Sequence, residues 1–398
     1  PASTLDVALQ PPMYAALLAA NAPSMPWARR SPNSRTGLFC AAVQILAALV
    51  AIIVVSLISV FLFFRGSNSK TAFADADAGI YAVVSKPGLA VDTIAVVRAG
   101  DIGYEEILIT IPHLPGMSAR GVTSPDGTKV ALIVADEGDV KNPVGSLRIL
   151  DLLTGSYTRL ASGVDLLQKP VWSPDSEAIV VTVSQPSKTK GFVDTAVLSY
   201  PVKFANQEKA QVLTIFRAVI LAVPLRIDQS GDLFTVAINE RGSLLFLGDQ
   251  EIRVLSQFFT RDWALSASGR RIAFIEVNLA AGLQYLPRVE AVFGGGVVAA
   301  TVQKGSRQAL GVVWNPIEFE QVAFGNEPSV VEGQVAAAGF VSGFDIPLSW
   351  AETGDVLLVE HWSGINFEKP GDVQLQIVLA NGRHSIVGYT RFLGWVVK

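Results

Sequence analysis

A short turn signature that recurs six times constrains the fold of this 398-residue chain more than any other feature. Ser124-Pro125-Asp126-Gly127 leads into Val130-Ala131-Leu132-Ile133, and Ser173-Pro174-Asp175-Ser176 leads into Ile179-Val180-Val181. Weaker copies open at Asp228, Ser266, Asn315 and Ala351, each followed by an apolar run. Proline presets φ in such a turn, and glycine accepts the positive φ that ends it. The openings at 124, 173, 228, 266, 315 and 351 are 49, 55, 38, 49 and 36 residues apart. That is the length of a four-stranded propeller blade, roughly 40–50 residues. Later stretches of the repeat, such as Ser146–Asp151 and Gln374–Val378, alternate in the manner of half-buried strands.

The copy Val171-Trp172-Ser173-Pro174-Asp175 resembles the TolB-type propeller repeat, whose hallmark is a Trp-Ser-Pro-Asp-Gly turn followed by an apolar strand. Trp172, Trp314 and Trp350 all stand directly before their turns. The first copy has Val122-Thr123 there, the fourth has Trp263 three residues early, and the last two copies are degenerate. The resemblance covers residues 79–398 and implies an all-β propeller, but says almost nothing about function. Three strand-like runs precede the first turn: Ile80–Ser85, Thr93–Arg98 and Glu106–Ile111. Phe392-Leu393-Gly394-Trp395-Val396-Val397 ends the chain as one more inner strand, with Trp395 in the recurrent aromatic place. Joining the first three to the last closes the ring and removes its open edges. The expected fold is therefore a seven-bladed β-propeller preceded by a single transmembrane α-helix. Six blades, the number the resemblance implies, are the alternative, and a generic β-sandwich is the remaining one.

Gly37–Phe64 contains no charged residue, and only Gln44, Ser56 and Ser59 interrupt its apolar core. As a helix it would be roughly 42 Å long, enough to cross a hydrocarbon core of about 30 Å with tilt. Leu38, Phe39, Ile45, Leu49, Ile53, Leu57, Phe61 and Phe64 are the expected anchor residues. Ala72-Phe73-Ala74 has the small-x-small form of a cleavage site, but the run is longer than a signal h-region of about 7–15 residues. Retention as an anchor is therefore expected, and Cys40 is read as a helix-packing or lipid-facing residue. Arg29, Arg30 and Arg35 precede the run, while Arg65 and Lys70 follow it beside Asp75 and Asp77. The tail before the run is +2 and Arg65 with Lys70 add +2, so residues 71–398 hold −8 within the net −4. That bias places the tail in the cytoplasm and the acidic part outside it. The expected organisation is a tail at 1–36, a span at 37–64, a linker at 65–78 and an extracytoplasmic propeller at 79–398.

Catalytic motifs are missing. His113, His361 and His384 are not at metal-ligand spacing, and each reads as a surface or strand-edge residue. There is no Gly-x-Ser-x-Gly elbow, P-loop or dinucleotide fingerprint. Some peptidases carry a similar propeller before a hydrolase domain, for which the chain as given leaves no room. No catalytic residue and no cofactor are expected. Asp136, Glu137 and Asp139 flank Gly138 and are a weak calcium candidate, since calcium takes oxygen ligands. A solvated loop is the other reading of that cluster. Lys188 and Lys190, in the long stretch Ser184–Ala210, and Phe340 and Phe344, among glycines and alanines, are candidate partner contacts, with a plain surface excursion and core packing as the respective alternatives. An acidic net charge argues against nucleic acid as a partner.

These features predict a non-enzymatic, membrane-anchored binding or scaffolding subunit of a larger bacterial membrane complex. Its expected partners are other membrane-protein subunits, reached through the helix, the tail and one propeller face, and the lipid bilayer. The alternative is an extracytoplasmic ligand or cell-wall binding protein or sensor that uses the propeller funnel. A hydrolase or lyase built on the propeller is a third reading.

Overall fold

The computed structural model describes residues 72–398 apart from 102, 203–209, 279–283, 295–296, 299–308, 318–321, 327–329, 332–333, 336–342, 366–368 and 381. The anchor residues Leu38 to Phe64 and the tail lie outside the described residues, as does Phe340. A 3-10 turn, Ala72–Asp75, precedes an all-strand body.

The first sheet contains β1 (Ile80–Lys86), β2 (Val91–Arg98) and β3 (Glu105–Pro112). The second is β4 (Arg120–Thr123), β5 (Lys129–Gly138), β6 (Pro143–Asp151) and β7 (Tyr157–Val164). The third is β8 (Val171–Trp172), β9 (Ala178–Pro186), β10 (Val193–Pro201) and β11 (Gln211–Val219). The fourth is β12 (Leu221–Ile227), β13 (Leu233–Asn239), β14 (Gly242–Leu247) and β15 (Gln250–Ser256). The fifth is β16 (Phe259–Leu265), β17 (Arg271–Asn278), β18 (Gln284–Ala291) and β19 (Val297–Val298). Two short sheets follow: β20 (Ala309–Trp314) with β21 (Val322–Asn326), and β22 (Val330–Val331) with β23 (Gln334–Val335). The last four-stranded sheet is β24 (Phe344–Trp350), β25 (Leu357–Trp362), β26 (Val373–Leu379) and β27 (Gly382–Ile386). Finally β28 (Arg391–Val397) returns to pair with β1, giving the order β28-β1-β2-β3.

The ring therefore closes as the sequence predicts, with the end of the chain supplying the inner strand of the first blade. The count is corrected: six four-stranded blades form among the described residues, not seven. Among the described residues the copy at Asn315 yields the β20–β21 hairpin, set against β16 and β24. Beyond it, β22 and β23 are two residues each and pair with one another, so they do not widen that sheet. Separate apolar cores lie between neighbouring sheets, the one after the fifth sheet being shared with the β20–β21 hairpin. Tyr81, Ile94 and Leu132 pack between the first and second sheets, and Leu147, Trp172 and Ile179 between the second and third.

The recurrent turn has one hydrogen-bond scheme. The opening residue donates its N–H to the start of the next strand: Ser124 to Lys129 O at 2.8 Å, Ser173 to Ala178 O at 2.9 Å, Ser266 to Arg271 O at 2.9 Å and Ala351 to Val356 O at 2.8 Å. Three residues on, Gly127, Ser176, Gly269 and Gly354 return an N–H to the opener, all with positive φ. Ser176, at φ 59°, is the one copy that holds this conformation without glycine, and its Oγ accepts the N–H of Asp126 in the neighbouring blade at 3.1 Å. In the closing blade no turn is needed, because Lys398 and Gly79 exchange backbone hydrogen bonds of 2.9 and 3.1 Å. That register puts Val397, not Trp395, in the recurrent aromatic place. Trp395 lies two residues deeper in β28 and packs edge-on against Phe392.

Candidate functional site

In every four-stranded sheet the strands alternate in direction, so the connections fall on two opposite faces. The recurrent turns lie on one face, and the inner strands β4, β8, β12, β16, β24 and β28 begin at the other. At those beginnings, side chains bolt one blade to the next. Arg391 Nη1 donates to Ala119 O at 3.2 Å, Arg120 Nη1 to Leu167 O at 3.0 Å, and Gln168 Nε2 to Ala222 O at 2.8 Å. Strand pairing alone does not link separate sheets, so such contacts and the apolar cores hold the ring together.

The inner strands surround a cavity of about 470 Å³ lined by residues of five sheets, among them Lys169, Trp172, Leu225, Trp350 and Trp395. Trp172 Nε1 donates to Val122 O and Trp314 Nε1 to Ala264 O, each at 3.0 Å and each one blade away. The indole N–H groups of Trp350 and Trp395 are buried without a hydrogen-bond partner. Lys169 stands where β8 begins, and among the described residues it makes no hydrogen bond or ion pair. Its side chain keeps access to solvent at the cavity wall, yet loses part of its hydration to the surrounding protein. That loss of hydration holds its pKa below the usual lysine value, against the attraction of Glu360 and with the repulsion of Arg120. Glu360, on β25, shows the complementary effect. Burial raises its pKa, while the Trp362 indole, Lys169 and Arg391 act in the opposite direction.

The two faces differ in chemistry. The inner turns carry Asp126, Asp175, Glu177, Asp228, Asp232, Glu352 and Asp355, against Arg270. The other face carries Lys86, Lys141, Lys169, Lys188, Lys190, Arg241 and Lys369, with Asp139, Asp165, Glu240 and Asp372. The most exposed large apolar side chains, Val387, Leu89 and Leu167 at 80, 79 and 77%, are also on this second face.

The sequence-based candidates fare unequally. Lys188 and Lys190 are exposed on the turn between the paired strands β9 and β10, and residues 203–209 of the same stretch lie outside the described residues. Phe344 is corrected from a partner contact to a core residue: it is fully buried and stacks on Trp362 at 6.2 Å, with the rings 5° from parallel. Asp136, Glu137 and Asp139 do not converge as calcium ligands. Asp136 accepts Arg148 Nε at 2.8 Å, Glu137 pairs with Arg159 and accepts Ser162 Oγ at 2.6 Å, and Asp139 caps its own turn through Lys141 N and Asn142 N. No three His, Cys, Asp or Glu side chains are grouped to hold a metal among the described residues. His113 and His361 are buried, not at the surface, and are paired with Asp92 at 3.0 Å and Asp345 at 2.8 Å. Lys169, Glu360 and the bolts were not singled out from the sequence, because a lone lysine or glutamate carries no local pattern. The only sequence cue was their place just before or within an inner-blade strand.

No protein-family model matches the sequence, and no curated protein matches it at a significant level. Solved structures do match. The acylaminoacyl peptidase of Pyrococcus horikoshii aligns over 78% of this chain and 51% of its own at 12% identity, with a TM-score of 0.50. TolB from Acinetobacter baumannii aligns over 84% of this chain and 68% of its own at 13% identity and a TM-score of 0.45. A TolB protein from Agrobacterium tumefaciens aligns over 78% and 89%, at 14% identity and a TM-score of 0.41. The chain is a β-propeller, with TolB proteins among its structural neighbours. Identities this low establish the fold alone, and the propeller spans about half the length of the peptidase it matches. Among the described residues no helix is long and apolar enough to cross a membrane.

Proposed function

We propose that this propeller is a non-enzymatic binding and scaffolding module, tethered to a bacterial membrane by the apolar run at 37–64 as an accessory subunit of a larger assembly. In this reading the tail is cytoplasmic and the propeller extracytoplasmic, in line with the arginines before the run and the −8 charge after it. The observation that carries the reading is the placement of Phe73, nine residues beyond Phe64 and inside the cleavage-like Ala72-Phe73-Ala74. Phe73 is 1% exposed in the core of the first blade, edge-on to Tyr81 at 5.2 Å. Its N–H donates to Glu106 Oε1 at 2.7 Å. The Lys398 ammonium lies over its ring and donates to the carbonyls of Phe73, Ala74 and Ala76. Cleavage at Ala74 would strip a core side chain from the closing blade, so the fold favours keeping the segment that joins it to the apolar run.

Membrane fractionation with mass measurement of the mature chain tests this reading. We expect an intact N-terminal region in carbonate-washed membranes. A mature chain beginning at or beyond Ala74, recovered in the soluble fraction, would refute it. A second reading, ligand binding in the funnel, is favoured by the 470 Å³ cavity, whose walls combine indoles with Lys169. Purified protein giving a saturable tryptophan-fluorescence response to a small organic anion, abolished in Lys169→Ala, would turn the assignment that way.

A further inference from the structure

The cavity inside the ring combines an aromatic wall with one cation that no carboxylate matches among the described residues. It runs from Lys169, where β8 begins, to Pro125 and Glu352 on the turns at the opposite face. Its volume of about 470 Å³ falls within the roughly 300–1,000 Å³ of small-molecule sites. Trp350 and Trp395 line it and are half-buried, yet their indole N–H groups are shut off from solvent. The Trp172 N–H is spent on Val122 O. What these three side chains offer the cavity is therefore carbon. Phe392, also half-buried on the wall, stands edge-on to Trp395 at 5.2 Å. Lys169 and Glu352 are the charged side chains of the wall, and Glu352 is exposed at the far end.

We propose that this cavity binds a small molecule with a flat aromatic body and one carboxylate, the body against Trp350, Trp395 and Phe392 and the carboxylate on Lys169. This rests on the funnel-binding reading, is independent of the membrane tether, and adds the class of the ligand. Charge decides the anionic group. Glu360 and Asp262 attract Lys169 without forming an ion pair with it, and Arg120 and Arg391 repel it. Asp262 is already paired with Arg261 at 3.1 Å and accepts Gly311 N at 3.3 Å, and the Trp362 indole engages Glu360. Two neighbours of each sign leave the charge of Lys169 itself over. Burial holds its pKa down, and an ammonium short of hydration gains more from a bound anion than one in open water. The wall decides the body. Indole and phenyl rings hold a partner ring offset-stacked or edge-on, as Phe392 already holds Trp395. A neutral sugar could stack on the same rings but would leave Lys169 uncompensated.

Calorimetric titration of the purified full chain in detergent tests this, with 2-naphthoate as the probe. We expect one site per chain. The alcohol 2-naphthalenemethanol, which lacks the charge, should bind about tenfold more weakly. Decahydronaphthalene-2-carboxylate, which lacks the aromatic face, should bind about fivefold more weakly. These comparisons need no variant, so they stand even where a substitution disturbs folding. In Lys169→Met, with thermal melting unchanged, the acid and the alcohol should bind equally, and the same titration subtracts partition into micelles. Equal affinity for acid and alcohol in the wild type, or a preference for the acid that survives Lys169→Met, would overturn the proposal. Tighter binding of the saturated acid, or binding of glucuronate but not naphthoate, lost in Lys169→Met, would overturn the aromatic class and leave the funnel reading standing. No saturable binding by any of the four compounds would remove both.

Discussion

Asp92 shows how one buried side chain can organise a face. Its carboxylate is fully buried on β2 and ties together the loop after β1, the loop before β4 and His113. His113 has oxygens at both ring nitrogens, Asp92 Oδ1 at 3.0 Å and Leu114 O at 2.9 Å. Removing His113 leaves Asp92 with its two backbone donors but one buried hydrogen bond short, which costs about 1–3 kcal/mol. We therefore expect His113→Ala to lower unfolding stability by that amount in urea titrations of the full chain in detergent, and a loss under about 1 kcal/mol would contradict the account. Glu360 makes a prediction about pH. Its pKa is raised mainly by burial, so the folded protein binds more protons than the unfolded chain between the ordinary carboxylate value, roughly 4.3, and the raised one. Stability contributed by the protonated group is present below that window and lost as pH rises through it. Glu360→Gln lacks this dependence. Its melting temperature should match wild type near pH 4 and exceed it at pH 8. A variant less stable at pH 8 would mean that Lys169, Arg391 and Trp362 outweigh burial.

At the scale of elements, closure depends on how closely β28 approaches β4. Gly394 sits there with φ 152°, and a Cβ on it would lie 1.8 Å from Thr123 Oγ1 and 2.7 Å from Thr123 Cβ. Glycine is required because the Thr123 side chain of the adjacent inner strand fills the space a Cβ would take, at a backbone conformation other residues rarely adopt. Gly394→Ala should cost about 1–3 kcal/mol by overpacking this contact, read as a lowered denaturation midpoint, with partial recovery in Gly394→Ala/Thr123→Ala. Full stability in the single variant would show that the junction can yield. The recurrent turns were legible because their cause is local: proline, aspartate and glycine impose the conformation wherever they occur. The β20–β21 hairpin was not, because its turn at Asn315-Pro316 reads like the others, while the width of the sheet depends on residues far along the chain. The sequence left Phe344 open between a partner contact and a core residue, and it proves to be core, stacked on Trp362 eighteen residues away.

For the molecule as a whole, the last strand is what makes the ring a single unit. β28 completes the first blade, Arg391 bolts it to the second, and Lys398 grips the turn that holds Phe73. Deleting residues 391–398 should expose the edge of β1, replace one cooperative thermal transition with a broad one, and produce association detectable by light scattering. A monomeric truncation with an unchanged transition would show that closure is dispensable.

By itself the sequence determined the all-β repeat, the strands that begin and end the ring and the apolar run ahead of it, because turn chemistry and hydrophobic periodicity act over a few residues. Only the tertiary structure decided the number of complete blades among the described residues, the pairing of His113 with Asp92, and the meeting of Lys169, Trp350 and Trp395 at the central cavity. Those depend on which blades meet side by side, and residues as far apart as Ala119 and Arg391 become neighbours only when the ring closes.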